Sequence, residues 1–417
     1  MQEKYFLKSL LFLLFLHVPA IFAEANNFSI TILGDSISTG AGAHEQLSFD
    51  GDTLWDIFKG KLKIDIKPSP ELRKYVKDGD FSPPKYLWFS TREYTGSFEW
   101  VSNHLMRAFS ATFLNSEEYS WGYLTGKALG AKSQNIVFAG ENGARVSQIN
   151  RQLDRVLDAS SGVLSDKIFI VFSGMDLCSL STSLITSEAD YKERLLKGIK
   201  YLANNGKAAS NGTEVVVLGF LGMTQLIVDE SILNKKVKAF GQDMTCRQLR
   251  AQQFQPEAPL SSARHQETLL MNHIFPPNPA RYCPTLFALP LLAHTSSGFF
   301  SAPEENTSGQ TEKKTSSVDK YQLSPGLQTK VDELLSMVAS RIRQYRQASE
   351  AAIREANLWR TSAHPQKNIS FRYLDGLEKL QFEAADVTHD CFHISKKGHM
   401  KIADLVLQEI KNGPVVK

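Results

Sequence analysis

Short apolar runs alternate with longer amphipathic segments along most of this 417-residue chain. Five runs rich in Ile, Val, Leu and Phe predict buried β-strands, which lie at 29–33, 135–139, 167–172, 214–218 and 369–374. Apolar residues at helical spacing predict helices near 149–157, 195–202, 327–345 and 397–410. Strands that alternate with helices predict an α/β fold, in which a parallel sheet of about five strands lies between two layers of helices.

Two long stretches interrupt this alternation and predict insertions into a single domain at 26–417. The first, at 43–131, is rich in aromatic residues and predicts either a helical cap or a long structured excursion. The second, at 224–323, ends in a segment rich in Ser, Thr, Glu and Lys that is typical of a mobile surface loop.

The N-terminus has the pattern of an export signal. Two lysines precede the apolar run Leu10–Leu16, and small residues follow where a signal peptidase can cut. We therefore predict a signal peptide at 1–25 and a secreted or periplasmic mature protein. The alternative is an uncleaved anchor, although the apolar run is short for a membrane span.

Composition narrows the classes of function. Hydrophobic residues make up 42% of the chain, and the formal net charge is only +3. Nucleic-acid binding needs a concentrated basic face, so this balance gives it no support. The four cysteines suit an exported protein, and we predict a Cys246–Cys283 disulfide with Cys178 and Cys391 close in space. The sequence contains no Cys-x-x-Cys or paired-His spacing, so it does not predict a zinc site. It also contains no phosphate-binding motif, so it does not predict a nucleotide cofactor.

Residues that can carry chemistry follow four of the predicted strands. Ser36 comes soon after the first strand, a glycine-rich loop with Gly143 follows the second, and the block 173–178 follows the third. Asp390 and His393 come after the fifth strand. Because ligands of parallel α/β sheets bind outside the carboxyl ends of the strands, we expect these residues to meet at one sheet edge. A serine, a histidine and an aspartate that meet there can form a nucleophilic site.

Each of these residues also has a simpler structural interpretation. Ser36 and Gly143 can be ordinary turn residues, and Asp390 can cap the helix that follows it. Asp176, in the third block, is better explained as a hydrogen-bond acceptor within its loop than as a catalytic acid. His389 and His399 are alternatives to His393 as a base, and Gly140 is the alternative to Gly143 as the loop glycine.

Together the blocks resemble those of the GDSL, or SGNH-hydrolase, superfamily of esterases and lipases. That family has a Gly-Asp-Ser block, later blocks that contribute a Gly and an Asn, and a final Asp-x-x-His. The chain matches the first block at 34–36, the glycine at Gly143 and the last block at 390–393. The sequences at 176–178 and 390–395 resemble the phospholipase B subgroup in particular. This resemblance implies a flavodoxin-like, three-layer α/β/α fold.

One position departs from the family pattern. The third block of the family is Gly-x-Asn-Asp, and its Asn side chain donates a hydrogen bond to the oxyanion. Alignment through Asp176 places Met175 there, and a thioether cannot donate a hydrogen bond. Loss of one oxyanion donor lowers turnover by about 10²–10³-fold. The backbone N–H groups of Ser36 and Gly143 remain as the expected donors, with the Asn142 side chain as a candidate substitute.

The resemblance implies hydrolysis of acyl esters, with Ser36 as the nucleophile, His393 as the base and Asp390 as the residue that orients it. The phospholipase B-like blocks favour a lipid ester substrate and peripheral contact with a membrane. The alternatives are a carbohydrate O-acetylesterase and a catalytically weakened binding protein, the latter because of Met175. This chemistry needs no metal or other cofactor, and no nucleic-acid partner is expected.

Overall fold

The computed structural model describes residues 28–43, 70–87, 115–172, 174–178, 185–239, 242–248, 325–363 and 368–412. The predicted signal peptide at 1–25, Cys283 and most of the predicted insertion at 224–323 lie outside these residues. Among the helices that are described, none is both long enough and apolar enough to cross a membrane.

The described strands form one large sheet and one hairpin. They are β1 (Ile30–Gly34), β2 (Lys85–Tyr86), β3 (Ile136–Phe138), β4 (Lys167–Val171), β5 (Thr213–Leu218), β6 (Lys236–Ala239), β7 (Gln242–Thr245) and β8 (Ile369–Leu374). Six of them form an all-parallel sheet in the order β2-β3-β1-β4-β5-β8, and β6 and β7 pair with each other in antiparallel fashion.

The sheet confirms the predicted α/β class and contains all five predicted strands. Its sixth member, β2, lies at the edge and has only two residues, which is too short to give a periodic pattern. Without β2, the strand order is that of doubly wound, flavodoxin-like sheets. β1 pairs with β3 on one side and with β4 on the other, so the connections diverge around β1. The crevice beyond the carboxyl end of β1 is therefore the expected ligand site.

Helices surround the sheet, as a three-layer α/β/α fold requires. They are α1 (Ser36–Thr39), α2 (Trp121–Ala128), α3 (Ile149–Ala159), α4 (Glu188–Asn205), α5 (Met223–Val228), α6 (Glu230–Leu233), α7 (Pro325–Ala363) and α8 (Lys396–Asn412). α2 packs against α8, while α4 packs against both α3 and α7. The helices predicted from apolar spacing correspond to α3, α4, α7 and α8.

α2 packs closely against the sheet although it belongs to the predicted insertion at 43–131. Trp121 meets the ring of Phe169 edge-on, with 5.7 Å between the ring centroids. A Cβ built on Gly122 would lie 2.7 Å from Ile32, so only glycine allows the helix to approach this far. β2 also comes from this stretch and belongs to the sheet. The described parts of 43–131 are therefore integral to the domain and do not form a separate cap.

A disulfide joins Cys246, just after β7, to Cys391 in the last predicted block. The predicted Cys246–Cys283 bridge is therefore wrong. Cys178 is also disulfide-bonded, and its partner lies outside the described residues. A disulfide across 145 residues is consistent with an oxidising, extracytoplasmic environment.

Candidate active site

Ser36 lies where β1 passes into the short helix α1. Asp35 caps this helix, since its Oδ1 accepts the N–H of Ile37 at 3.0 Å. Its Oδ2 accepts the N–H of Gly174 at 3.2 Å. One buried carboxylate therefore fixes the start of the serine turn and also ties it to the loop that follows β4.

Gly34 determines how β1 ends. Its φ of 138° favours glycine, and a Cβ there would lie 1.8 Å from the carbonyl oxygen of Val171, its register partner on β4. Gln152 of α3 holds the same residue with two hydrogen bonds. The Gly34 N–H donates to Oε1 at 2.7 Å, and Nε2 donates to the Gly34 carbonyl at 2.8 Å. The end of β1 is thus fixed, and Ser36 follows just beyond it.

Asp390 and His393 form a direct pair. His393 Nδ1 and Asp390 Oδ2 are 2.5 Å apart. Asp390 is buried, and its Oδ1 accepts the N–H groups of Phe392 and His393, each at 2.9 Å, and the hydroxyl of Thr388. Burial raises the pKa of Asp390, but the charge of His393 and the hydrogen bonds from His393 and Thr388 outweigh burial and lower this pKa to about 2. The carboxylate is therefore ionised and can hold the imidazole with Nδ1 protonated.

This pair lies beside the segment that carries Ser36. A Cβ built on Gly42 would lie 3.6 Å from Thr388 Cγ2 and 3.9 Å from the Cβ of His393. Within the described part of the chain, the Ser36 hydroxyl makes no hydrogen bond, either to His393 or to another residue. Catalytic hydrogen bonds are often longer in the free enzyme and shorten when substrate is bound. The structure therefore shows the Asp390–His393 hydrogen bond and places this pair near the serine loop, without a hydrogen bond between Ser36 and His393.

The alternative bases differ from His393 in their surroundings. His399 is buried, and its Nδ1 accepts the N–H of Trp121 at 3.3 Å. Burial, together with the charge of His393, lowers the pKa of His399 to about 3, so this imidazole is neutral and packs as part of the core. The carboxylate of Asp390 contacts His393 and not His389, which makes His393 the base that the geometry favours.

Gly143 lies in a tightly held loop after β3. The Tyr86 hydroxyl donates to the carbonyl of Gly140 at 2.7 Å, the Glu141 N–H donates to the carbonyl of Gly34 at 2.9 Å, and the Ala144 N–H donates to the carbonyl of Glu141 at 3.1 Å. Gly143 has a φ of 76°, and no atom of the described residues lies within 4 Å of the position its Cβ would take. A Cβ built on Gly140, by contrast, would lie 3.3 Å from the carbonyl oxygen of Gly34. Gly143 is therefore the loop glycine that borders open space.

Two backbone donors in the serine turn and in the loop after β3 have no acceptor among the described residues. They are the N–H groups of Ser36 and Gly143. Glu141 fixes the loop that carries the second donor, because its buried carboxylate forms ion pairs with Arg151 and Arg155. A loop held in this way can present an N–H group without rearranging during a reaction, which is what an oxyanion site requires.

Asn142 does not have a free amide to replace the missing family asparagine. Its Oδ1 accepts the hydroxyl of Thr39 at 2.7 Å, and its Nδ2 donates to Oδ1 of Asn115 at 2.9 Å. These bonds link the loop after β3 to the serine turn and to the segment before α2. The side chain therefore supports the loop, and the structure does not favour it as a substitute donor.

Met175 packs against the core, and Asp176 accepts hydrogen bonds that support the loop after β4. Met175 is half-buried and contacts the hydrophobic core. Asp176 accepts the N–H of Val146 at 2.9 Å and the hydroxyl of Thr186 at 2.8 Å, so it is a hydrogen-bond acceptor, but its donors lie outside the loop at 173–178 in which it was expected to act. Burial raises the pKa of Asp176 to about 6 in spite of these bonds.

Sequence reasoning missed several residues that hold the site in place. Gln152 had a detectable signal, because it is a polar residue three positions after Ile149 on the apolar face of α3. Tyr86 had none, since β2 is too short to recognise. Thr388 also had none, because nothing local distinguishes a threonine that supports a carboxylate from one in an ordinary turn.

Within the described ranges, no group of three or more His, Cys, Asp or Glu side chains is arranged to hold a metal ion. Comparison of the chain with protein-family models gives no match, and comparison with curated proteins gives none either. What the site can do must therefore be argued from its own residues.

Proposed function

We propose that this protein is an exported serine ester hydrolase of the GDSL, or SGNH-hydrolase, type. The observation that carries the proposal is the buried, ionised Asp390 bound to His393, next to the Ser36 turn at the carboxyl end of β1. The matching sequence blocks support this reading, and the apolar N-terminal segment and the disulfide support export.

The reaction proceeds by acyl transfer through an acyl-enzyme. His393 Nε2 takes the proton from the Ser36 hydroxyl as Oγ attacks the ester carbonyl, and Asp390 accepts the Nδ1–H and stabilises the imidazolium. The N–H groups of Ser36 and Gly143 bind the oxyanion of the tetrahedral intermediate. His393 then gives its proton to the departing alcohol. In the second half of the reaction, water attacks the acyl-enzyme carbonyl as His393 takes its proton. His393 then returns this proton to Ser36 Oγ as the acid leaves.

The proposed substrate is a lipid acyl ester, because the blocks at 176–178 and 390–395 resemble the phospholipase B subgroup. A series of p-nitrophenyl esters from acetyl to palmitoyl tests this choice. We expect kcat/KM to rise with chain length. Activity confined to the acetyl ester would instead favour the second candidate, a carbohydrate O-acetylesterase.

Covalent labelling with a fluorophosphonate tests for an activated serine. We expect the purified protein to be labelled, with the adduct on the peptide that contains Ser36, because the reagent reacts with serines that a neighbouring base activates. Mass spectrometry of the digested protein identifies the modified residue.

The matched control for this labelling is a second serine variant. Ser36→Ala should lose the label, whereas Ser362→Ala, at an exposed position near the end of α7, should keep it. Circular dichroism confirms that both variants fold. A folded wild type that takes up no label contradicts the hydrolase proposal and favours a binding protein on the same fold.

Met175→Asn is expected to hold or raise kcat, because it restores the side chain with which the family contacts the oxyanion. The gain has an upper limit of about 10²–10³-fold, the effect of one oxyanion donor. Met175→Leu is the control, since it keeps the apolar volume and adds no donor. A large loss of turnover in a folded Met175→Asn variant would show that the methionine has another role in the cleft.

A further inference from the structure

The Cys246–Cys391 disulfide is attached inside the block that contains the proposed catalytic pair. Cys391 lies between Asp390 and His393, and its Cα is 5.4 Å from that of Cys246. Both cysteines are completely buried. The bridge therefore connects the Asp390–His393 turn to a part of the chain 145 residues away, within the fold and not at its surface.

Cys391 has a backbone conformation that cysteine rarely adopts. Its φ of 63° lies in the left-handed region, which residues other than Gly, Asn and Asp rarely adopt. This conformation lets the chain reverse so that the N–H groups of Phe392 and His393 both reach Oδ1 of Asp390. The turn is completed by hydrogen bonds from the Cys391 N–H to the carbonyl of Thr388 and from the Thr388 N–H to the carbonyl of His393.

The other end of the bridge is firmly supported. The N–H of Cys246 donates to the carbonyl of Lys235 at 2.9 Å, which fixes the end of β7 against the residue before β6. The side chain of Lys235 in turn donates to the carbonyl of Val387, at the start of the Asp390–His393 turn. The disulfide and the hydrogen bond from Lys235 thus both hold the turn against the hairpin.

We propose that Cys246 and Cys391 are positioning residues for the catalytic base. The disulfide holds Cys391 in its left-handed conformation, and that conformation aims His393 and keeps it on the Asp390 carboxylate. The inference rests on the proposed hydrolase function, since it concerns the base of that site. Neither cysteine contacts substrate, so their loss should change the rate of the chemical step and leave substrate binding nearly unaltered.

Two double variants separate the bridge from the backbone conformation that it holds. Cys246→Ser with Cys391→Ser removes the bridge and leaves a residue that disfavours φ near 63°. Cys246→Ser with Cys391→Gly also removes the bridge, but it places at position 391 a glycine, which adopts this φ without strain. We expect the serine pair to lower kcat about 10–100-fold at nearly constant KM, the effect of a small displacement of a catalytic group, and the glycine pair to recover part of that loss.

Amide hydrogen exchange gives a readout that does not depend on activity. Peptides that cover 386–395 should exchange faster in the serine pair than in wild type, with the glycine pair between them. Unchanged exchange and unchanged kcat in the serine pair would overturn the inference. If wild type neither reacts with the fluorophosphonate nor hydrolyses esters, the proposed function fails, and the exchange result still decides whether the bridge orders this turn.

A third measurement uses the wild type and covers the case in which the double variants do not fold. The protein is reduced for increasing times and alkylated, and its fluorophosphonate labelling is measured alongside alkylation at each cysteine. Loss of labelling that follows alkylation of Cys391 supports the inference. Full labelling of molecules in which Cys391 is alkylated contradicts it.

Discussion

Asp390→Asn is expected to lower kcat for ester hydrolysis by about 10⁴-fold, as loss of the orienting carboxylate does in Ser-His-Asp enzymes. Asp390 Oδ2 is 2.5 Å from His393 Nδ1, and an asparagine that places its NH₂ there would leave Nε2 as the protonated nitrogen. His393 could then no longer accept the proton of Ser36. Steady-state kinetics at pH 7–8, with the fold checked by circular dichroism, measure the effect.

The control for this variant is Asp404→Asn on the exposed surface of α8. Asp404 forms an ion pair with Lys74 at 2.7 Å, and both side chains are about half exposed, so its loss should leave kcat unchanged. If Asp390→Asn kept more than a tenth of wild-type activity, Asp390 would be only an acceptor that shapes the turn.

The same variant has a pH signature in stability. The pKa of Asp390 is about 2 in the folded protein, and the ordinary value is 3.8, so the unfolded chain binds this proton more readily. The stabilisation from Asp390 is therefore complete above about pH 4–5 and is lost as the pH falls toward 2. Urea unfolding between pH 2 and pH 5 should show a smaller pH dependence for Asp390→Asn than for wild type. An unchanged slope would show that the pKa of this carboxyl is not depressed.

The sequence predicted the edge at which the proposed site lies because apolar runs and the polar residues after them locate the strand ends. Continuous apolar runs mark the buried parallel strands, and the first polar residues after each run mark the carboxyl ends. Ser36 is expected at this edge because it comes soon after the first strand, and the Asp390–His393 block because it follows the fifth strand in chain order. The contact between Asp390 and His393 is also local, since three residues of one turn bring the two side chains together.

The features that the sequence did not predict depend on contacts between residues that are far apart along the chain. The approach of the Gly42 segment to Thr388 and His393 joins residues far apart along the chain, and no local pattern encodes it. The disulfide prediction was wrong for the same reason. It paired Cys246 with Cys283 because the two are close along the chain, whereas the β6–β7 hairpin brings Cys246 to Cys391. The edge strand β2 was not predicted, because a strand of two residues is too short to show a recognisable alternation of apolar and polar positions.

Gly34→Ala is expected to destabilise the fold by more than about 4 kcal/mol, which places it among the most damaging single substitutions. The new Cβ would lie 1.8 Å from the carbonyl oxygen of Val171 and 2.4 Å from Oγ of Ser38. The first of these atoms is backbone in the centre of the sheet, so it cannot move without disturbing the pairing of β1 with β4. The φ of 138° adds strain that alanine cannot relieve. Urea unfolding measures the change in the free energy of unfolding.

Gly79→Ala is the matched control, because it has a positive φ without the close contacts. Its φ is 68°, and among the residues that the structure describes no atom lies within 4 Å of the position that a Cβ would take. The expected loss is about 1–2 kcal/mol, the conformational preference alone. The difference between the two variants therefore isolates the steric requirement at the end of β1, where the chain turns toward Ser36. Equal losses would mean that the sheet can yield at Val171, and that Gly34 is needed only for its backbone angles.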